Sequence, residues 1–240
     1  MKTPTSPNLL HDPLIIALDF DSAAEADTLV NTLGDAASFY KVGMELFAAT
    51  GPDYVRSLTG RGKRVFLDMK YYDIGETVKR AVRSAARTGA SFLTVHAVGQ
   101  VMRAAMEGRG DSDLRLLAVT VLTSLDENDV RQMGHQCTVS ELVAMRVSQA
   151  REIGIDGLVA SPLEARAIRA LAGPEAILVT PGVRSQGAAK GDQKRVATPA
   201  DAIRDGADYL VIGRQVTRAT DPVAALASIR AELQTAVQAA

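Results

Sequence analysis

The sequence predicts an α/β fold, a (β/α)8 TIM barrel forming a single domain, and three observations carry that prediction. Eight short apolar or β-branched runs recur along 240 residues, stretches with helical spacing separate them, and polar residues stand where run after run ends. No Gly/Ser-rich or Pro-rich linker divides the chain, so residues 1–240 are assigned to one domain, with 1–12 as an N-terminal extension. An open doubly wound sheet shares the alternation, but it would spread the polar ends along an edge, whereas a closed barrel gathers them on one rim.

The runs are Leu14–Leu18, Ser38–Val42, Arg64–Met69, Phe92–His96, Leu114–Val121, Gly157–Ala160, Ala176–Thr180 and Tyr209–Ile212. Being almost continuously apolar, they suit parallel strands covered on both faces. The first stops at Asp19, and Ser22–Leu33 follows as a helix that opens on a capping serine. The second carries Lys41 near its end; the third ends in Asp68-Met69-Lys70, with a helix over Glu76–Thr88 beyond it. His96 closes the fourth, and the fifth leads into Thr123-Ser124 before a helix at Ser140–Ile153. The sixth precedes a helix at Pro162–Leu171, whose proline sits in the first turn where its missing N–H costs nothing. The seventh opens into Pro181-Gly182-Val183-Arg184, the eighth into Gly213-Arg214, and a helix over Asp221–Gln238 ends the chain.

Composition narrows the function. With 27 basic and 28 acidic residues the net charge is -1, which removes the strong positive field of a general nucleic-acid binder; no Trp and 4% aromatics leave few platforms for stacking bases. No window approaches a membrane span, and the apolar stretch before Asp19 is too short for a signal peptide. The single cysteine, Cys137, rules out an intrachain disulfide and agrees with a reducing, cytoplasmic home; three scattered histidines make no metal trio, so no metal site is expected.

The strongest constellation lies in VFLDMKYYDIGETV, Val65–Val78. Asp68 and Lys70 are two apart on a strand, so their side chains are expected on one face at the barrel mouth, with Lys41 joining from the side. An acid between two amines favours the charged form of both, which suits a positioned proton donor rather than a Schiff-base nucleophile. Asp73 follows after the chain has left the strand and is expected to point away from its own site, reaching a neighbouring subunit's mouth across an isologous interface if it contributes to chemistry. Surface ion pairs around strand ends are the plain alternative.

A second constellation follows the last two strands. Gly213 and Arg214 stand where barrels of this kind often hold phosphate, and the polar segment PGVRSQGAAKGDQKR brings Arg184 and Gln193 toward the same anion as a lid, or serves only as a solvated connector. Asp19 suits a sugar hydroxyl or the cap of the next helix, and Thr123 and Ser124 suit the edges of a ring or a turn. His96 reads as a satisfied rim residue.

Taken together, these residues resemble the orotidine 5'-phosphate decarboxylase family. The blocks ALDFD, FYKVGMELF, DMKYYDIGETV, LTS and PGVR with GDQKR and IGR occur in the family's order and span nearly the whole chain. The resemblance implies a barrel homodimer with shared active sites that converts orotidine 5'-phosphate to uridine 5'-phosphate and carbon dioxide without metal or cofactor, the last step of de novo UMP synthesis. It implies a catalytic tetrad of Lys41, Asp68, Lys70 as proton donor, and Asp73 from the partner subunit. Thr77 would stand beside the partner's ribose, Asp19 would bind ribose hydroxyls, and Thr123 and Ser124 would line the pyrimidine. Pro181 and Lys41 count among the substrate contacts, while Arg184, Gln193, Gly213 and Arg214 would hold the phosphate. One departure is DIGET at Asp73–Thr77, where the family commonly reads DIPNT, so nothing is carried over for Gly75 or Glu76. A metal-dependent sugar-phosphate decarboxylase or aldolase of the same barrel superfamily, or a non-catalytic barrel that binds nucleotide phosphate, is the competing expectation.

Overall fold

In the computed structural model, which describes residues 12–185 and 197–238, the eight apolar runs are eight parallel strands. They are β1 Leu14–Leu18, β2 Phe39–Gly43, β3 Arg64–Tyr71, β4 Phe92–His96, β5 Arg115–Val119, β6 Gly157–Val159, β7 Ile177–Thr180 and β8 Tyr209–Ile212. They pair in chain order and close on themselves, with Leu14 of β1 opposite Leu210 of β8. That closure decides between the barrel and the open sheet. Asp12 already belongs to the fold, accepting from Leu14 N at 3.2 Å and pairing with Arg230, while the rest of the expected 1–12 extension lies outside the described residues.

Around the strands run α1 Ala23–Leu33, α2 Met44–Gly60, α3 Gly75–Ala86, α4 Gly99–Arg109, α5 Glu127–Gln132, α6 Val139–Ile153, α7 Ala165–Ala172, α8 Pro199–Arg204, α9 Arg214–Thr217 and α10 Pro222–Gln238. The expected helices correspond to α1, α3, α6, α7 and α10, their ends displaced by a few residues at most. Ser22 is the cap of α1 rather than its first residue, accepting from Glu25 N, and Pro162–Glu164 is a 3-10 turn ahead of α7. The start of α6 is fixed by a reciprocal box in which Thr138 accepts from Glu141 N and the Glu141 carboxylate accepts from Thr138 N.

Two apolar layers follow from the period of two. Ile15 and Ala17 of β1, Phe39, Phe66, Phe92, Leu117, Val119, Val159, Val179, Tyr209 and Val211 form one buried cluster, and their neighbours Leu14, Ile16, Leu18, Tyr40, Val65 and Leu67 join the layer beneath the helices. The first cluster is the barrel interior, because rings from strands on opposite sides meet in it: Phe92 of β4 and Tyr209 of β8 lie 5.3 Å apart, edge to face. Each such side chain withdrawn from water contributes about 1.5–3 kcal/mol. At the N-terminal end of the strands the Arg64 guanidinium lies 4.0 Å over the Phe39 ring and donates to Tyr209 Oη at 3.2 Å, closing the floor.

Candidate active site

Continuing the inward register by two residues on four adjacent strands exchanges hydrocarbon for polar groups. Ala17 is followed by Asp19, Phe39 by Lys41, Phe66 by Asp68 and Phe92 by Thr94. Lys41 Nζ lies 2.8 Å from Asp19 Oδ1 and 3.9 Å from Asp68 Oδ2, while Lys70 Nζ lies 2.8 Å from Asp68 Oδ1. The result is a row of alternating sign, Asp19, Lys41, Asp68, Lys70. The Lys41 and Asp68 side chains are only 11% and 15% exposed, and a charge so withdrawn from water is tolerated because an opposite charge faces it.

The expectation that Asp68 and Lys70 share a face by strand alternation is right in outcome and wrong in cause. β3 leaves regular register after Leu67: Leu67 is opposite Leu93, but the next paired residue is Tyr71, opposite Val95. The intervening bulge is wider on β3 than on β4, and inside it Lys70 has φ 49, the only positive φ at a non-glycine among the described residues. Such a backbone costs of order 1–3 kcal/mol and persists where the surroundings hold it. Here Thr94 holds it, its hydroxyl oxygen accepting from Lys70 N at 2.8 Å. Thr94 was absent from the sequence expectations; its only signal there was a hydroxyl at an inward position of an otherwise apolar strand.

A cavity of about 520 Å³ opens above this row. Its wall includes Thr123 and Ser124 from the loop after β5, Pro181 and Arg184 after β7, and Gly213 and Arg214 after β8, as well as Asp19, Lys41, Asp68 and Lys70. β5 ends at Val119 rather than Val121, because the chain turns there and the Thr120 carbonyl accepts from Arg146 of α6. Arg184 is placed by its backbone N–H, which donates to the Ala197 carbonyl at 3.0 Å, so the chain on either side of residues 186–196 is joined at its base. Gln193 lies outside the described residues. Glu45 and Arg218 also line the cavity and were not anticipated; Glu45 sits in the first turn of α2, directly after the strand that carries Lys41.

Asp73 and Thr77 do not join the cavity. Both are exposed, and Asp73 Oδ1 accepts from Ile74 N at 2.6 Å at the entrance to α3. Flanking Asp73, Tyr72 and Ile74 are 67% and 70% exposed. His96, at the end of β4, meets the Tyr72 ring in a tilted contact with centroids 5.6 Å apart, and its imidazole is held below the ordinary 6.5 by burial first, then by the positive charges of Arg146 and Lys70. Among the described residues no group of three or more His, Cys, Asp or Glu side chains is placed to hold a metal ion, and no helix is long and apolar enough to cross a membrane.

The chain is similar to known proteins over nearly its whole length. Residues 12–229 match the family model described as "Orotidine 5'-phosphate decarboxylase / HUMPS family". An orotidine 5'-phosphate decarboxylase of Methylobacterium sp. (strain 4-46) is 54% identical over 232 residues, covering 95% of this chain and 98% of that one. That of Nitrobacter winogradskyi is 50% identical over 231 residues, covering 96% of each. The crystal structure of orotidine 5'-phosphate decarboxylase from Lactobacillus acidophilus superposes with a TM-score of 0.82 at 36% identity, covering 92% of this chain and 98% of that one. With a family model matched over most of its length and relatives of this similarity, the chain belongs to the orotidine 5'-phosphate decarboxylase / HUMPS family.

Proposed function

We propose that the protein converts orotidine 5'-phosphate to uridine 5'-phosphate and carbon dioxide, in UMP biosynthesis, and that the charged row at the barrel mouth is its catalytic apparatus. One observation carries the assignment of roles: Asp19, Lys41, Asp68 and Lys70 alternate in sign along the wall of one cavity that Arg184 and Arg214 also line. A pyrimidine nucleotide matches that division, its phosphate dianion meeting the two guanidinium groups and its ribose hydroxyls meeting Asp19. Thr123, Ser124 and Pro181 border the space left for the ring, and Gly213 and Gln193 complete the phosphate contacts.

The chemistry then follows from charge. The bond between ring C6 and the carboxylate carbon breaks, carbon dioxide leaves, and the electron pair stays on C6. Lys70 Nζ, oriented by Asp68, stabilises that pair and supplies the proton that turns it into the C6–H bond; solvent then restores the proton to the amine. Because the groups are already oriented, little reorganisation is needed as charge develops, and no metal or cofactor is required to hold the electron pair. Binding energy from the distant phosphate is expressed as rate at C6.

Asp73 and Thr77 act, on this reading, in the site of a partner subunit, which makes the working unit a homodimer. Their exposure beside Tyr72 and Ile74 supports that placement, since large apolar groups on a surface suit a covered interface.

The decisive assay follows loss of orotidine 5'-phosphate absorbance after exhaustive chelation. Turnover is expected to persist, and Lys70→Ala is expected to bind uridine 5'-phosphate while losing at least about 10³-fold in kcat. A strict divalent-metal requirement, or near-normal turnover in Lys70→Ala, would refute the assignment.

A further inference from the structure

The Thr94 hydroxyl stands in a position that none of the expected site residues accounts for. Its side chain is fully buried at the centre of β4, on the inward face and one layer above Phe92. Its oxygen accepts from Lys70 N at 2.8 Å and lies 3.0 Å from Asp68 Oδ1 and 3.5 Å from the Leu67 carbonyl oxygen. A hydroxyl has one proton to give. The carboxylate is both nearer and charged, so the proton goes to Asp68 rather than to Leu67.

Two consequences meet in one atom. Asp68 Oδ1 receives both Lys70 Nζ and the Thr94 hydroxyl, which fixes the plane of the carboxylate and leaves Oδ2 turned toward Lys41 at 3.9 Å. Accepting from Lys70 N, the same hydroxyl also clamps the backbone of the one described non-glycine residue with positive φ, and so sets the direction in which the Lys70 side chain departs.

We infer that Thr94 is a positioning residue: through a single hydroxyl it aims both the Asp68 carboxylate and the Lys70 ammonium, without itself touching substrate. The inference rests on the reading of Lys70 as proton donor. It makes the β3 bulge and the β4 hydroxyl one device, in which neither strand alone can present the pair.

The test compares Thr94→Val, which keeps the shape and loses the hydroxyl, with Thr94→Ser, which keeps the hydroxyl and loses a methyl; Thr94→Ala serves as a second hydroxyl-free variant should the valine protein fail to fold. In folded protein, judged by its melting transition, the hydroxyl-free variant is expected to lose about ten- to a hundredfold in kcat, the range for a hydrogen bond to a charged group. Its affinity for uridine 5'-phosphate should stay within about twofold and Thr94→Ser should retain kcat within about threefold, because a positioning role is read in kcat and rescued by the hydroxyl. A hydroxyl-free variant with kcat near wild type, or Thr94→Ser falling as far as Thr94→Val, would overturn the inference. Should the wild-type chain itself leave orotidine 5'-phosphate unchanged, the reading of function fails separately, and the positioning role is then decided by crystal structures. Displacement of the Asp68 carboxylate from between Lys41 and Lys70 in Thr94→Val upholds it, and an unmoved carboxylate refutes it.

Discussion

Lys70 shows how much one residue owes to its surroundings. Its charge, its place near a strand end and its spacing from Asp68 are legible in the sequence, and so are Lys41 and Asp19 as ends of their own strands. The left-handed backbone that aims it is not legible, because lysine has no preference for that region and the cause is Thr94, 24 residues on along the chain. His96 stands at the end of β4, and its lowered titration follows from burial first and then from Arg146 and Lys70, which arrive from other elements. Its lowered folded value has a definite sign. Between the unfolded value near 6.5 and the lower folded one, the unfolded chain binds more protons, so the contribution of His96 is present above pH 6.5 and lost as pH falls through that window. Melting temperatures measured from about pH 7.5 to 5.5 should therefore decline less steeply in His96→Asn than in wild type, and parallel curves would show that His96 carries none of the dependence.

Strands and helices were read with uneven success, for reasons that lie in their sequences. Each of the eight runs became a strand because burial on both faces leaves an unbroken apolar signature. Their ends moved where backbone geometry intervened: β3 runs past Met69 to Tyr71 because the bulge re-enters register there. The short α5, α8 and α9 were not anticipated as separate helices, being too brief for apolar periodicity to emerge. In α2 the interruption at Gly51, with φ 67 ahead of Pro52, breaks the pattern in the middle of the segment. Gly157, by contrast, looks like a weakness in β6 and is a requirement of it. A Cβ there would lie 2.2 Å from the Ile177 carbonyl oxygen and 2.8 Å from Leu117 Cδ2, which the two flanking strands cannot both relieve. Gly157→Ala should destabilise the fold by roughly 1–3 kcal/mol or more, seen in denaturant unfolding as a lower midpoint with the slope retained. An unchanged midpoint would mean the barrel yields more easily than its packing implies.

For the molecule as a whole, the near-neutral total conceals an ordered distribution, with acids and lysines alternating in a row at the mouth and two arginines lining the same cavity. The barrel and this convergence could be read from the chain alone, whereas the proposed sharing of sites between subunits rests on Asp73 and Thr77 lining no part of the cavity in their own chain. Mixing Lys70→Ala and Asp73→Ala proteins tests that relation. Random exchange gives heterodimers with one intact and one doubly altered site, so about a quarter of wild-type activity should return. Exchange without recovery would place Asp73 in its own subunit's site. Finally, the Arg64 guanidinium and the rings of Phe39, Phe92 and Tyr209 seal the far end of the barrel, and the interior above them is packed solid. The molecule is therefore a cup and not a tube: nucleotide and gas share one doorway, carbon dioxide has to escape past or ahead of the nucleotide that released it, and whatever covers the mouth governs the exit of both.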